Sequence, residues 1–270
     1  MSFSKNASLV LFAAALAAPS MARAEDGPLG WLHGDWYLTV GASGIVAPNF
    51  EGSRKYMFSA SPIISLGKAG NTARFVSRND NISLALIDDG NVRAGLTGKF
   101  LFSRDDGDAK ELKGLDPVRW GGELGGFFEF YPTDWMRMRA ELRHGIRAHN
   151  GFVADIAADA FYDVTPEVRV SGGPRASIAS SKYFDAYYGV NAAESQASGI
   201  SEYHPGGGLK SLGLGGAITW KVTDPMTASL FGEYSRLMGP AADSTLVKER
   251  GSRDQFMIGV STTYRFDFAM

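Results

Sequence analysis

Trp135-Met136-Arg137-Met138-Arg139-Ala140-Glu141-Leu142-Arg143-His144-Gly145-Ile146-Arg147 alternates between two chemistries. Arg137, Arg139, Glu141, Arg143 and Arg147 fall on one parity, and Met136, Met138, Ala140, Leu142 and Ile146 on the other. Period two is the mark of a β-strand with two unlike faces. In a soluble sandwich the apolar face would be the core. In an outer-membrane barrel it meets lipid, and the charged face lines the lumen. Length separates the two, because a tilted membrane strand needs about 9 to 11 residues while soluble strands peak near 5 to 6. This run is of the longer kind.

Outward from it, the same alternation predicts strands at 36–46, 55–66, 72–78, 82–87, 91–102, 119–130, 135–147, 151–162, 167–180, 209–220, 226–238 and 255–268. The expected fold is an all-β transmembrane antiparallel barrel of about twelve strands. The third and fourth are shorter than a full crossing, which leaves ten as an alternative count. Helical periodicity is hard to find. Gly67 to Asn71, Asp88 to Gly90, Tyr131 to Asp134, Asp163 to Pro166 and Thr223 to Pro225 are tight turns after even-numbered strands. Longer polar connections at 47–54, 103–118, 181–208 and 239–252 follow odd-numbered ones. Short periplasmic turns and longer extracellular loops produce this asymmetry, with both termini in the periplasm.

The two ends of the chain carry targeting signals. Lys5, the apolar run from Ala7 to Ala18, and Ala22-Arg23-Ala24 read as a secretory signal peptide over 1–24, too short in its apolar part to anchor in a bilayer. The expected mature protein, 25–270, is one barrel domain in the outer membrane of a Gram-negative bacterium. At the other end Tyr264, Phe266 and Phe268 share a face with Phe256, Ile258 and Val260, an aromatic closing strand like the signal read by the outer-membrane insertion machinery. Trp36, Tyr56, Trp120, Trp135 and Trp220 fall near strand ends, where interfacial girdles explain them better than ligand stacking.

Charge and composition exclude several functions. Loss of Lys5 and Arg23 with the signal leaves 25 basic against 29 acidic residues, a balance that argues against nucleic acid as partner. The chain has no Cys, so stability comes from something other than disulfides, and lipid attachment is excluded. Four scattered histidines make no metal site. His144 lies on the lipid-facing parity, and a hydrolase would need a Ser beside it, where Gly122, Leu124, Ala154 and Ile156 stand instead. Asp105 to Asp108 lacks calcium-loop spacing, and Gly206 to Gly216 holds no phosphate loop. The reading is a non-enzymatic barrel without cofactor, metal or catalytic residues.

The inward parity brings charges of alternating sign onto successive strands: Arg93 and Lys99, then Glu123 and Glu129, then Arg137, Arg139, Glu141 and Arg143, then Asp155 and Asp159, then Arg169 and Arg175. Such a lumen charge ladder is either a selective pore lining or a salt-bridged plug that replaces a hydrophobic core. The near cancellation of charge favours the plug.

The sequence resembles the MipA/OmpV family, the MltA-interacting outer-membrane proteins. The resemblance rests on Val46 to Ser53, Tyr187 to Val190 with Ala192 to Ser195, Gly207 to Lys210, Tyr234 to Ser244, and Tyr264 to Phe266. It implies a scaffold for a murein lytic transglycosylase and, through it, a peptidoglycan synthase, with outer-membrane lipid and lipopolysaccharide as surroundings. A narrow porin for small solutes and a surface adhesin using residues 181–208 are the alternatives.

Overall fold

The computed structural model describes residues 33–68, 75–77 and 80–269. Eleven strands pair in chain order: β1 (Asp35–Pro48), β2 (Tyr56–Lys68), β3 (Ile82–Asp88), β4 (Val92–Leu101), β5 (Gly121–Thr133), β6 (Met136–Ile146), β7 (Phe152–Asp163), β8 (Val168–Ala179), β9 (Gly208–Lys221), β10 (Met226–Leu237) and β11 (Asp254–Ala269). The barrel closes by pairing β1 with β11 from Asp35↔Ala269 to Val46↔Ile258. No helix among the described residues is long and apolar enough to cross a membrane, and the crossing is made by strands.

Alternation along each strand decides what faces where. On β6, Arg137, Arg139, Glu141 and Arg143 are buried inward, while Met138, Leu142 and Ile146 stand exposed on the outside. Leu124, Ile156, Ile218 and Val260 do the same on their own strands. A wall of exposed aliphatic side chains suits acyl chains and not water. Trp135, Tyr162, Trp220, Tyr264 and Phe266 ring the periplasmic end, and Tyr56, Phe58, Phe100 and Trp120 the opposite one.

The strand count differs from the expected twelve, and the difference lies at 72–78. Residues 75–77 are not a strand, and 72–74 and 78 fall outside the described residues. Phe75, Asp80 and Asn81 instead contact inward-facing wall residues, which puts these three residues inside the barrel. The physical reason is in the sequence: with Arg74, Arg78 and Asp80 on one parity, the face left for lipid would be Ala73, Phe75, Ser77 and Asn79, which holds a single large apolar side chain. As a result β2 and β3 are parallel neighbours, paired only at Ser65↔Ser83 and Leu66↔Leu84, the exception to antiparallel order.

The extracellular connections also depart from plain polar loops. They carry α1 (Ser181–Tyr188), α2 (Ala192–Ser198), α3 (Gly239–Asp243) and α4 (Thr245–Arg250), plus one 3-10 turn at Lys110–Leu112. Tyr183, Phe184 and Tyr188 of α1 pack with Val153, Leu237, Ala241, Ala242 and Val247. Phe50, Leu112, Val190, Ile200 and Leu246 form a second cluster. Apolar side chains in these loops close a cap over the barrel mouth. The signal segment 1–24 lies outside the described residues.

Candidate functional site

The register of the wall sets opposite charges side by side. Arg93 stands opposite Glu129, Glu129 opposite Arg139, Arg137 opposite Asp159, and Asp163 opposite Arg169. From the periplasmic side, Arg93 donates to Asp88 at 2.9 Å and to Glu129 at 3.3 Å, and also contacts the Tyr37 hydroxyl closely. Glu129 accepts from Arg139 as well, and from the Tyr131 hydroxyl at 3.2 Å. Arg139 reaches Glu141 at 2.8 Å, and Arg143 gathers Glu141, Glu123 at 2.7 Å and Asp155 at 2.5 Å. This is one continuous network of charge-assisted hydrogen bonds.

Arg137 is its hub. Its guanidinium, fully buried, takes both oxygens of Asp80 at 2.6 and 2.9 Å and Asp159 at 2.8 Å, and lies 4.8 Å from the Phe75 ring centre. Arg175 holds the other oxygen of Asp159 at 2.5 Å. Asn81 donates to Glu141 at 2.7 Å. The ladder therefore grips the internal stretch through Asp80 and Asn81, while Phe75 stacks on Phe161 with ring centres 4.9 Å apart.

Two members of the expected ladder sit differently from the rest. Arg169 pairs with Asp163 at 2.6 Å at the periplasmic rim, where both are open to solvent. Lys99 stands opposite Glu123 in register but makes no ion pair among the described residues, and it lines a chamber of about 210 Å³. Glu51, Asp80, Asp155, Arg175 and Lys210 line the same chamber. A second, small cavity of about 10 Å³ is lined by Val76, Ser77, Ala217 and Phe231. The far wall carries hydroxyls alongside the charges of Lys210, Glu233 and Arg265: Thr219 bonds Ser229 at 2.9 Å, Thr227 bonds Thr263 at 2.6 Å, and Ser43 reaches the Ser61 carbonyl at 3.2 Å.

Sequence reading missed the partners supplied from outside the wall pattern. Asp80 was read as part of a connection, and His149 as a loop residue, yet His149 is buried with Nε2 3.1 Å from Glu123. Gly145 makes that contact possible, since a Cβ there would fall 2.2 Å from the His149 ring. Glu51 was also missed. It accepts from Lys210 at 2.8 Å, Tyr183 at 2.5 Å and Tyr188 at 3.2 Å, which joins the cap to the wall. Burial would raise the Glu51 carboxyl, but Lys210 and Lys99, with the hydrogen bonds from Lys210 and Tyr183, outweigh it and hold it at about 2. Burial first, then the Glu51 charge, pushes the Tyr187 phenol up to about 12. A spacing signal for α1 was present in Phe184, Tyr187 and Tyr188, three and four apart.

The ladder positions few groups for chemistry. Its acids and bases are bound to one another, and His144, on the outer face between Leu124 and Phe152, meets only apolar neighbours in register.

The family described as MltA-interacting protein MipA matches residues 40–266 of this chain. Among solved structures, Neisserial surface protein A is similar at 9% identity and a TM-score of 0.30, over 86% of this chain and 99% of that one. A bacterial polysaccharide outer membrane secretin is similar at 10% identity and a TM-score of 0.40, over 87% and 99%. The monoaromatic hydrocarbon channel CymD is similar at 10% identity and a TM-score of 0.37, over 90% and 94%. No curated protein matches the sequence.

Proposed function

This chain belongs to the MltA-interacting protein family and is an outer-membrane β-barrel, and from that premise we propose that it is a non-enzymatic scaffold for the murein machinery. The family match carries the reading: its partner class is a murein lytic transglycosylase, with a peptidoglycan synthase recruited through it. Export through a signal at 1–24 and insertion guided by Tyr264, Phe266 and Phe268 belong to the same reading.

The barrel offers a periplasmic partner its short turns. Asp89 tightens one by accepting from the Asn91 and Val92 amides at 3.0 and 2.7 Å, Thr165 shapes another, and Lys221 pairs with Asp224 at 2.8 Å in a third. Turns of this size present little area, so the contact is small or spread over several of them. The gripped internal stretch and the closed cap favour a scaffold over the narrow-porin alternative.

Pull-down from native envelopes tests this. Replacing Pro132 to Asp134 with glycines, and separately removing residues 25–34, reduces recovery of a lytic transglycosylase, while Gln196→Arg on the exposed face of α2 leaves it unchanged. If the α2 change abolishes recovery and the periplasmic changes do not, the scaffold reading fails.

A further inference from the structure

On the outer wall, at the extracellular ends of β4, β5 and β6, the alternation of large apolar residues is broken by glycines. Gly98 stands opposite Leu124, Phe100 opposite Gly122, and Gly122 opposite Ile146. The two missing side chains leave a groove of about 550 Å³, floored by glycine and walled by Phe100, Trp120, Leu124 and Ile146, all about half exposed. Strand interiors lose packing at glycine, so a glycine pair on a lipid-facing surface marks a place where something else approaches the backbone.

A cation stands at the upper rim of this groove. Arg147, the first residue after β6, is held at φ 73°, a left-handed conformation that a non-glycine residue adopts at a cost in free energy. Its guanidinium lies 3.8 Å from the centre of the Trp120 ring. Arg119, next to Trp120, is exposed as well. Among the described residues neither arginine has a carboxylate within ion-pair distance, in a molecule that pairs most of its inner cations. An unpaired arginine at headgroup depth calls for an anion, and its fork matches phosphate oxygens.

We propose that the groove binds lipopolysaccharide, one acyl chain lying on Gly98 and Gly122 and the phosphorylated headgroup resting on Arg147 and Arg119. The site is at the extracellular end, in the leaflet where that lipid resides, and two cations suit a headgroup with two phosphates. Trp120 serves both parts, since its ring walls the groove and its face holds Arg147 in place.

The test uses the full-length protein refolded in detergent free of lipopolysaccharide, with bis-phosphorylated hexa-acyl lipid A as probe and native mass spectrometry as readout. The protein retains one lipid A and binds phosphatidylglycerol more weakly. Arg119→Gln with Arg147→Gln lowers lipid A retention roughly thirtyfold, the loss expected for two cations at about 1 kcal/mol each near a headgroup surface. Gly122→Leu, which fills the groove, abolishes it while heat-modifiable migration stays unchanged. Should Gly122→Leu fail to fold, the exposed arginine pair still decides. Equal retention by the arginine variant, or phosphatidylglycerol binding as tightly as lipid A, would overturn the proposal.

Discussion

Arg137→Met strikes the ladder at its hub, and the contacts fix what it costs. Three carboxylates lose a partner at once. Glu129 keeps Arg93 and Arg139, and Asp159 keeps Arg175. Among the described residues Asp80 keeps only Arg139 at 3.7 Å and the Ser77 amide at 2.8 Å. One poorly compensated carboxylate therefore remains inside the barrel, and stranding a buried charge in this way costs about 3 to 5 kcal/mol. Arg169→Gln is the internal control. Its pair with Asp163 is open to solvent, so its loss costs no more than about 1 kcal/mol. Equilibrium urea unfolding from lipid vesicles, followed by tryptophan fluorescence, measures both. Adding Asp80→Asn to Arg137→Met removes the stranded charge and recovers part of the loss. If Arg137→Met costs as little as Arg169→Gln, or the second change brings no recovery, the ladder is not what holds the internal stretch.

In planar bilayers the unmodified protein shows no large steady conductance, and Phe231→Ala, which enlarges the small cavity Phe231 shares with Val76 and Ser77, raises it. A steady anion-selective current from the unmodified protein would support a porin instead. The cap has its own pH signature: the Glu51 carboxyl sits below its unfolded value, so its contribution is present above about 4.5 and is lost as pH falls towards 2. Hydrogen exchange of the α1 amides accelerates over that window, and Glu51→Gln removes the dependence.

The wall was legible because one parity rule fixes both strand and facing. Once 135–147 is read as a strand, Arg137 and Glu141 must share the inner face, and neighbouring strands of opposite sign follow. What escaped reading has no local period. Asp80 lies 57 residues from Arg137, and His149 lies 26 from Glu123. Glu51 meets Tyr183 and Tyr188 across 132 and 137 residues. Such contacts depend on where a connection is led after leaving the wall, and neither charge nor hydropathy within the connection encodes that path.

The odd strand number ties these features together. Both ends of the described barrel, Asp35 and Ala269, lie opposite each other in one register. Eleven strands closed in chain order then require one parallel neighbouring pair. That pair is β2 and β3, whose connection includes the described residues 75–77, 80 and 81. On the lipid side residues outside the wall would expose backbone groups and charge to hydrocarbon, at a cost of several kcal/mol for each unsatisfied group. Inside, Asp80 and Asn81 meet Arg137, Arg139 and Glu141, which already stand on the inner face. The surplus of arginine on β6 is thus matched to a segment that is not in the wall.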